Sequence, residues 1–149
     1  MPELLVVSHT PSDNTRSLTD WVLSGASSAL LTVTCSRPLE TGPEQVLAAD
    51  GLILGTTENF GYMSGAMKDF FDRIYYPCLE KTRGMPYALF IRAGQDGTGA
   101  RTSIERIVTG LGWRAVQEPL ICRGEVSEFQ EPCRQLGELM AIGLQDGIF

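Results

Sequence analysis

Residues 50–76 read DGLILGTTENFGYMSGAMKDFFDRIYY, and three local patterns follow one another along them. Leu52, Ile53 and Leu54 stand in a row between Gly51 and Gly55, a run that suits a strand buried on both faces of a parallel sheet. From Met67 the apolar positions are Met67, Phe70, Phe71 and Ile74, the i, i+3, i+4, i+7 spacing of an amphipathic helix that returns to cover that sheet. Residues 56–65 between them are polar, aromatic and glycine-containing, and read as a loop. Ligands of open parallel sheets bind outside the carboxyl ends of the strands, so this loop is the first place to expect a site.

Outward from this unit the same alternation repeats. Leu4, Leu5, Val6 and Val7 give a first strand ending at Ser8 and His9. A polar loop then leads into a helix with its stripe on Leu18, Trp21, Val22 and Gly25, and Ser12 or Asp13 is its natural N-cap. Residues 29–35 (ALLTVTC) are rich in β-formers and give the second strand; Pro43 can open a two-turn helix before the central strand. Residues 87–91 supply a fourth strand, the glycine-rich RAGQDGTG follows, and Ile104, Ile107, Val108 and Leu111 mark a helix that Gly112 ends. A fifth strand lies within residues 113–122, and a last helix carries Phe129, Cys133, Leu136, Met140 and Leu144, starting at Ser127 or, to accommodate Pro132, at Glu131. Five strands alternating with helices, with no repeat or linker, predict one α/β domain over residues 1–149: a parallel sheet between two helical layers. The expected strand order is 2-1-3-4-5, with a switch point between strands one and three that the first and central loops flank.

Composition narrows the function. A chain of 149 residues can bury one core, and a net charge of -6 argues against nucleic acid or an anionic membrane as the main partner. No apolar run approaches a membrane span and no secretory leader is evident, so a cytoplasmic protein is expected. Cys35, Cys78, Cys122 and Cys133 have no close spacing and are accompanied only by His9, which predicts reduced, mostly buried thiols and no metal centre.

In the first loop, SHTPSDNT, the side chains of Ser8, Thr10, Ser12, Asn14 and Thr15, with the free amides of a helix start, are the donors a phosphate monoester needs; a capped polar loop would look the same. Neither an NTPase phosphate loop nor the G-x-G-x-x-G of a dinucleotide fold is present. Taken together, VVSHTPSDNTRSL and DGLILGTTENFGYMSGAMKDFFDRI resemble the flavodoxin-like FMN proteins, and among them the NAD(P)H-dependent FMN reductases and NAD(P)H:quinone oxidoreductases of the Trp-repressor-binding-protein type. Ser8, Asn14 and Thr15 match the first family motif. Asp50, Gly51, Gly55, Thr56, Phe60, Gly61, Met63, Met67, Lys68, Phe70, Asp72 and Arg73 match the second, more specific one.

The resemblance implies a flavodoxin-like three-layer sandwich holding FMN. Its phosphate would lie on Ser8, Thr10, Ser12, Asn14 and Thr15, its ring against Thr57, Glu58, Asn59, Phe60, Gly61, Tyr62 and Met63, and its pyrimidine side against Ala93, Gly94, Gln95, Asp96 and Gly97. It further implies NAD(P)H as co-substrate, a quinone or similar small-molecule electron acceptor, and a homodimer. Hydride transfer needs no side-chain acid or base, so no catalytic side chain is expected; the protein places and tunes the flavin. An electron carrier for a protein partner and a flavin-free binding domain are the alternatives.

Two positions depart from the family pattern. Thr57 stands where proline is usual, and Asp13 stands beside the expected phosphate, where a carboxylate is unfavourable unless it turns away or pairs with Arg16. Lys68, Asp69, Asp72 and Arg73 read as exposed helical ion pairs, Trp113 as core, His9 as loop structure and Asp96 as a turn former. The chain lacks the phospho-accepting Asp of a receiver, the Cys-x5-Arg of a small phosphatase and the G-x-S-x-G of a hydrolase elbow.

Overall fold

A computed structural model describes all 149 residues. The chain runs β1 (Glu3–Ser8), α1 (Asp13–Ala26), β2 (Thr32–Ser36), a 3-10 turn (Pro38–Glu40), α2 (Pro43–Ala48), β3 (Gly51–Asn59), β4 (Tyr62–Met63) and α3 (Gly65–Cys78). It continues through β5 (Pro86–Arg92), α4 (Thr98–Leu111), β6 (Arg114–Ala115), β7 (Leu120–Cys122), a second 3-10 turn (Val126–Phe129) and α5 (Gln130–Gln145). The strands β2, β1, β3 and β5 lie side by side in that order, and β6 and β7 both pair with β5; all these pairs are parallel. This is the expected order, with the last position shared by two short strands.

Alternation along β3 divides the core. Leu52 and Leu54 face α3 and α4, where they meet Phe70, Phe71, Ile104 and Val108. Ile53 faces α1 and α5, with Leu18, Val22, Leu136 and Met140. All three β3 side chains are fully buried, as a central parallel strand requires. On the second face, α1 and α5 approach through glycines: a Cβ on Gly25 would collide with the Arg134 carbonyl, and one on Gly137 with that of Val22.

Three local outcomes depart from or refine the reading. The 56–65 segment is not an open loop, because β3 runs on to Asn59 and pairs antiparallel with β4. Phe60 (φ 54°) and Gly61 (φ 70°) form the two-residue turn of this hairpin, both in the left-handed region that such a turn requires. The single strand expected within residues 113–122 is interrupted: Val116 still donates to the Tyr87 carbonyl at 3.1 Å, and pairing resumes at Leu120 opposite Phe90, past Pro119, which has no N–H to give. Pro132 lies in the first turn of α5, where the missing donor costs nothing, so the later helix start prevails.

Trp113 is core: it packs against Phe71 and Tyr87 and donates its indole N–H to Thr82 Oγ1 at 2.8 Å. The helical charges are exposed pairs, Lys68 to Asp72 at 2.7 Å and Arg73 to Asp69 at 2.6 Å. Arg73 has a further task, donating to the carbonyls of Thr41 (2.8 Å) and Pro38 (2.7 Å) and so tying the first 3-10 turn to α3. All four cysteines are free, with Cys78, Cys122 and Cys133 buried and Cys35 exposed. No helix is long and apolar enough to cross a membrane.

Candidate functional site

The parallel register brings three connections to one end of the sheet. Ser8 pairs with Gly55, and Thr57 with Arg92, so the loops after β1 and β5 flank the β3–β4 hairpin on either side. These are the three segments that the sequence reading assigned to a ligand.

The first loop ends in a capped helix. Ser12 Oγ accepts from the Thr15 amide at 3.3 Å, which makes Ser12 the N-cap. The amides of Thr10, Ser12, Asp13 and Asn14 have no acceptor in the chain, as expected of residues at and before a helix start. Asp13 is turned out, its side chain 99% exposed and paired with Arg16 at 3.3 Å, so its carboxylate does not occupy the helix start. Ser8 differs from its expected use: as an even-numbered residue of β1 it faces α1, and its buried hydroxyl bonds Thr19 Oγ1 at 2.6 Å. Its side chain is therefore engaged inside the protein, whereas Ser12 and Asn14 are exposed at the helix start and Thr10 lines a hollow with His9.

The hairpin is fixed from its α4 side. Glu58 Oε1 accepts from the Gly97 amide (3.2 Å) and Oε2 from the Ala100 amide (3.1 Å), so this carboxylate caps α4 from the wall of the hollow beside the hairpin. The Met63 amide donates to Ser103 Oγ at 3.2 Å and the Ser64 amide to Thr56 Oγ1 at 3.0 Å. Gly99 lies so near the Gly61 carbonyl that a Cβ there would collide with it. Nothing in the sequence spacing announces that residue 58 would cap a helix some forty positions later.

What remains unengaged defines the site. The amides of Phe60 and Gly61 at the hairpin tip, and of Gly94, Gln95 and Asp96 in the third loop, bond nothing within the chain. They border a hollow of about 410 Å³ lined by Glu58, Phe60, Gly61, Gly94, Gln95, Asp96 and Gly99. Phe60 stands wholly exposed at its rim and Tyr62 is partly so. Asp96 shapes the third loop as expected, accepting from the Thr98 amide at 2.9 Å; that bond holds its carboxyl below the ordinary range.

Thr57 is on the other face of β3 from Thr56 and Glu58, which places it on the α1 side, the side of the first loop. Its Oγ1 is buried and has no partner in the chain, the only such side-chain atom in the molecule. A buried hydroxyl left unpaired costs about 1 to 3 kcal/mol, a cost that a polar partner would remove. Half-buried His9 lines a separate hollow of about 240 Å³ with Arg37, Leu39 and Ala66, and burial lowers its pKa. No cluster of metal-ligating side chains is present.

A helix start with free amides, a rigid hairpin and a third loop with unpaired donors, all at the switch point of a parallel sheet, define a flavodoxin-like α/β protein. Comparison with known proteins carries this to a family. A family model described as NADPH-dependent FMN reductase matches residues 36–122, more than half of the chain, and the protein belongs to that family. A flavodoxin of Aquifex aeolicus (strain VF5) is 33% identical over 112 residues, an alignment covering 74% of this chain and 60% of that relative's length. Among solved structures, a flavodoxin from the domain Archaea superposes with a TM-score of 0.81 at 18% identity, covering 95% of this chain and 98% of the other. A WrbA-like flavodoxin of Agrobacterium tumefaciens superposes with a TM-score of 0.76 at 18% identity, covering 98% and 99%. At these identities the two structures speak for the fold alone.

Proposed function

We propose that the protein binds FMN in this crevice, accepts a hydride from NAD(P)H and passes the electrons to a quinone or similar small acceptor. The observation that carries this reading is the pair of donor sets left unpaired by the fold. The amides of Thr10, Ser12, Asp13 and Asn14, joined by the hydroxyl and amide side chains there, suit a dianionic phosphate at a helix N-terminus. The amides of Phe60, Gly61, Gly94, Gln95 and Asp96 suit the carbonyl and ring-nitrogen acceptors of an isoalloxazine edge. The lone Thr57 hydroxyl on the first-loop side adds a donor between the two sets.

Flavin supplies the two-electron chemistry when bound. This chain's part is to orient the ring by backbone donors on a hairpin that cannot drift, because Glu58, Ser103 and Gly99 hold it. Phe60 and Tyr62 present aromatic surface at the rim, where a planar ring can be covered. No general acid or base is called for.

The exposed aromatic rim and the flavodoxin relative also favour a second reading, a one-electron carrier for a protein partner. Titrating the purified protein with FMN and following flavin fluorescence tests the shared part; micromolar protein that leaves FMN fluorescence unchanged refutes both. Steady loss of NAD(P)H absorbance on adding a quinone distinguishes the reductase. FMN binding without such turnover refutes the reductase and leaves the carrier.

A further inference from the structure

The two edges of the sheet are finished differently. On one side β6 and β7 have two and three residues, with Pro119 between them, so that edge offers little to an incoming strand. On the other side β2 is an unbroken run, TVTCS, without charge, proline or glycine, and it pairs with β1 alone. Thr32 donates to the Pro2 carbonyl at 3.0 Å, and the register sets Glu3 opposite Thr32 and Leu5 opposite Thr34. Alternate residues of a parallel strand bond to the same neighbour. Thr32, Thr34 and Ser36 therefore serve β1, and the N–H and C=O groups of Val33 and Cys35 point outward. The edge is open to solvent: Thr32, Thr34 and Cys35 are exposed, Val33 and Ser36 half-buried.

Beside this edge lies a hollow of about 220 Å³ between α2 and the β1–β2 pair. It exists because α2 has only six residues and leaves Thr34 uncovered. Leu4, Leu5 and Ala48 give it apolar walls, Glu3 and Glu44 supply its charge, and no lysine or arginine lines it. Neither carboxylate forms an ion pair, whereas Glu40 is held by Arg37 at 3.0 Å and Asp69 by Arg73 at 2.6 Å. On the other face of the sheet exposed Asp20, also without an ion pair, stands near Cys35; burial and then this charge raise the thiol's pKa. The open edge is thus flanked by unpaired carboxylates on both faces. A second copy of the chain would bring together two bodies of net charge -6 and, in antiparallel pairing, both Glu44 side chains on one face of the joint sheet. A basic strand meets no such cost.

We propose that the β2 edge is a docking site for an extended, basic segment of another protein, which adds a strand through the main-chain groups of Val33 and Cys35 and lays a lysine or arginine side chain in the hollow. Main-chain bonds give such a contact its affinity, and a pocket beside every second residue gives its specificity. The aliphatic stem of the guest side chain covers Leu4, Leu5 and Ala48, and its cation reaches Glu3 and Glu44. The site is separate from the crevice and independent of the flavin chemistry.

The test titrates the isotope-labelled full chain with a capped peptide, TVTKTVTV, and follows the backbone amides by NMR. Saturable shifts centred on Val33 and Cys35 are expected. Of two peptides N-methylated on alternate amides, one should bind as the parent does and the other should not, the signature of edge pairing. Norleucine in place of the peptide's lysine, or the double variant Glu3→Gln/Glu44→Gln, should weaken binding about five-fold, the effect of a partly exposed ion pair. Val33→Pro removes an outward N–H and no bond to β1, so it should abolish binding while leaving the urea midpoint near wild type. Should that variant unfold, the methylated peptides still decide. Equal binding of both methylated peptides, shifts centred outside β2, or an affinity indifferent to the lysine overturns the proposal. A sedimenting dimer that Val33→Pro returns to monomer gives the edge to a second copy and overturns it as well.

Discussion

Replacing Glu58 by alanine removes both acceptors that join the hairpin to α4 and leaves the Gly97 and Ala100 amides without partners. Hydrogen bonds to a charged group contribute about 1.5 to 3 kcal/mol each when well buried. The Glu58 side chain is half-buried and its two bonds are 3.2 and 3.1 Å long, so solvent screening reduces the sum for both to about 2 kcal/mol. For a chain of this size that corresponds to a fall in Tm of about 4 to 8 °C. Glu58→Gln keeps one acceptor oxygen and loses the charge, and is expected to cost about half as much. Urea unfolding followed by far-UV circular dichroism measures the change. The reasoning requires the midpoint to move while the slope stays constant, since the same surface is exposed on unfolding. A Glu58→Ala protein within about 0.5 kcal/mol of wild type would refute the view that this carboxylate holds the hairpin. FMN affinity should fall in the same variant, because the Phe60 and Gly61 amides would lose their fixed position.

Phe60→Asn, which tolerates the left-handed backbone better, should stabilise the ligand-free protein by about 1 kcal/mol in urea unfolding while weakening FMN binding; a destabilised variant would mean that the ring contributes to the fold. Gly137→Ala should cost about 2 to 3 kcal/mol by forcing α5 from the Val22 carbonyl, read as a lower urea midpoint. Burial lowers the His9 pKa, so below the ordinary histidine value of about 6.5 the unfolded chain binds a proton that the folded chain resists. Stability then rises with pH through that window and is lost on acidification, and His9→Gln should flatten the loss between about pH 7 and pH 5; parallel melting curves for the two proteins would exclude the effect.

Much of the fold was legible because its signals are local. The unbroken Leu52–Ile53–Leu54 run and the Met67, Phe70, Phe71, Ile74 stripe each obey one periodicity, and alternating strands and helices leave few topologies. Ser8 could have been read as well: alternation from Leu4 and Val6 turns it toward α1. The hairpin was hidden for a physical reason. Its turn places phenylalanine where Asn or Gly would announce a left-handed residue, so a loop was the natural expectation for residues 56–65. Glu58 as a cap for α4 arises from the juxtaposition of segments far apart in sequence, which periodicity does not encode. Asp13 was resolved only by rotamer, since its carboxylate turns to Arg16 and away from the helix start.

The interruption between β6 and β7 has a practical consequence. Residues 117–119 leave the sheet at its outer edge, donate no ladder hydrogen bond and lie on the opposite side of β5 from the first loop. Such a place accepts added chain at little cost to the fold. A reporter peptide spliced between Gln117 and Glu118 would therefore be carried on the outer edge of the sheet, between the level of Tyr87 and that of Phe90, and leave the crevice loops undisturbed.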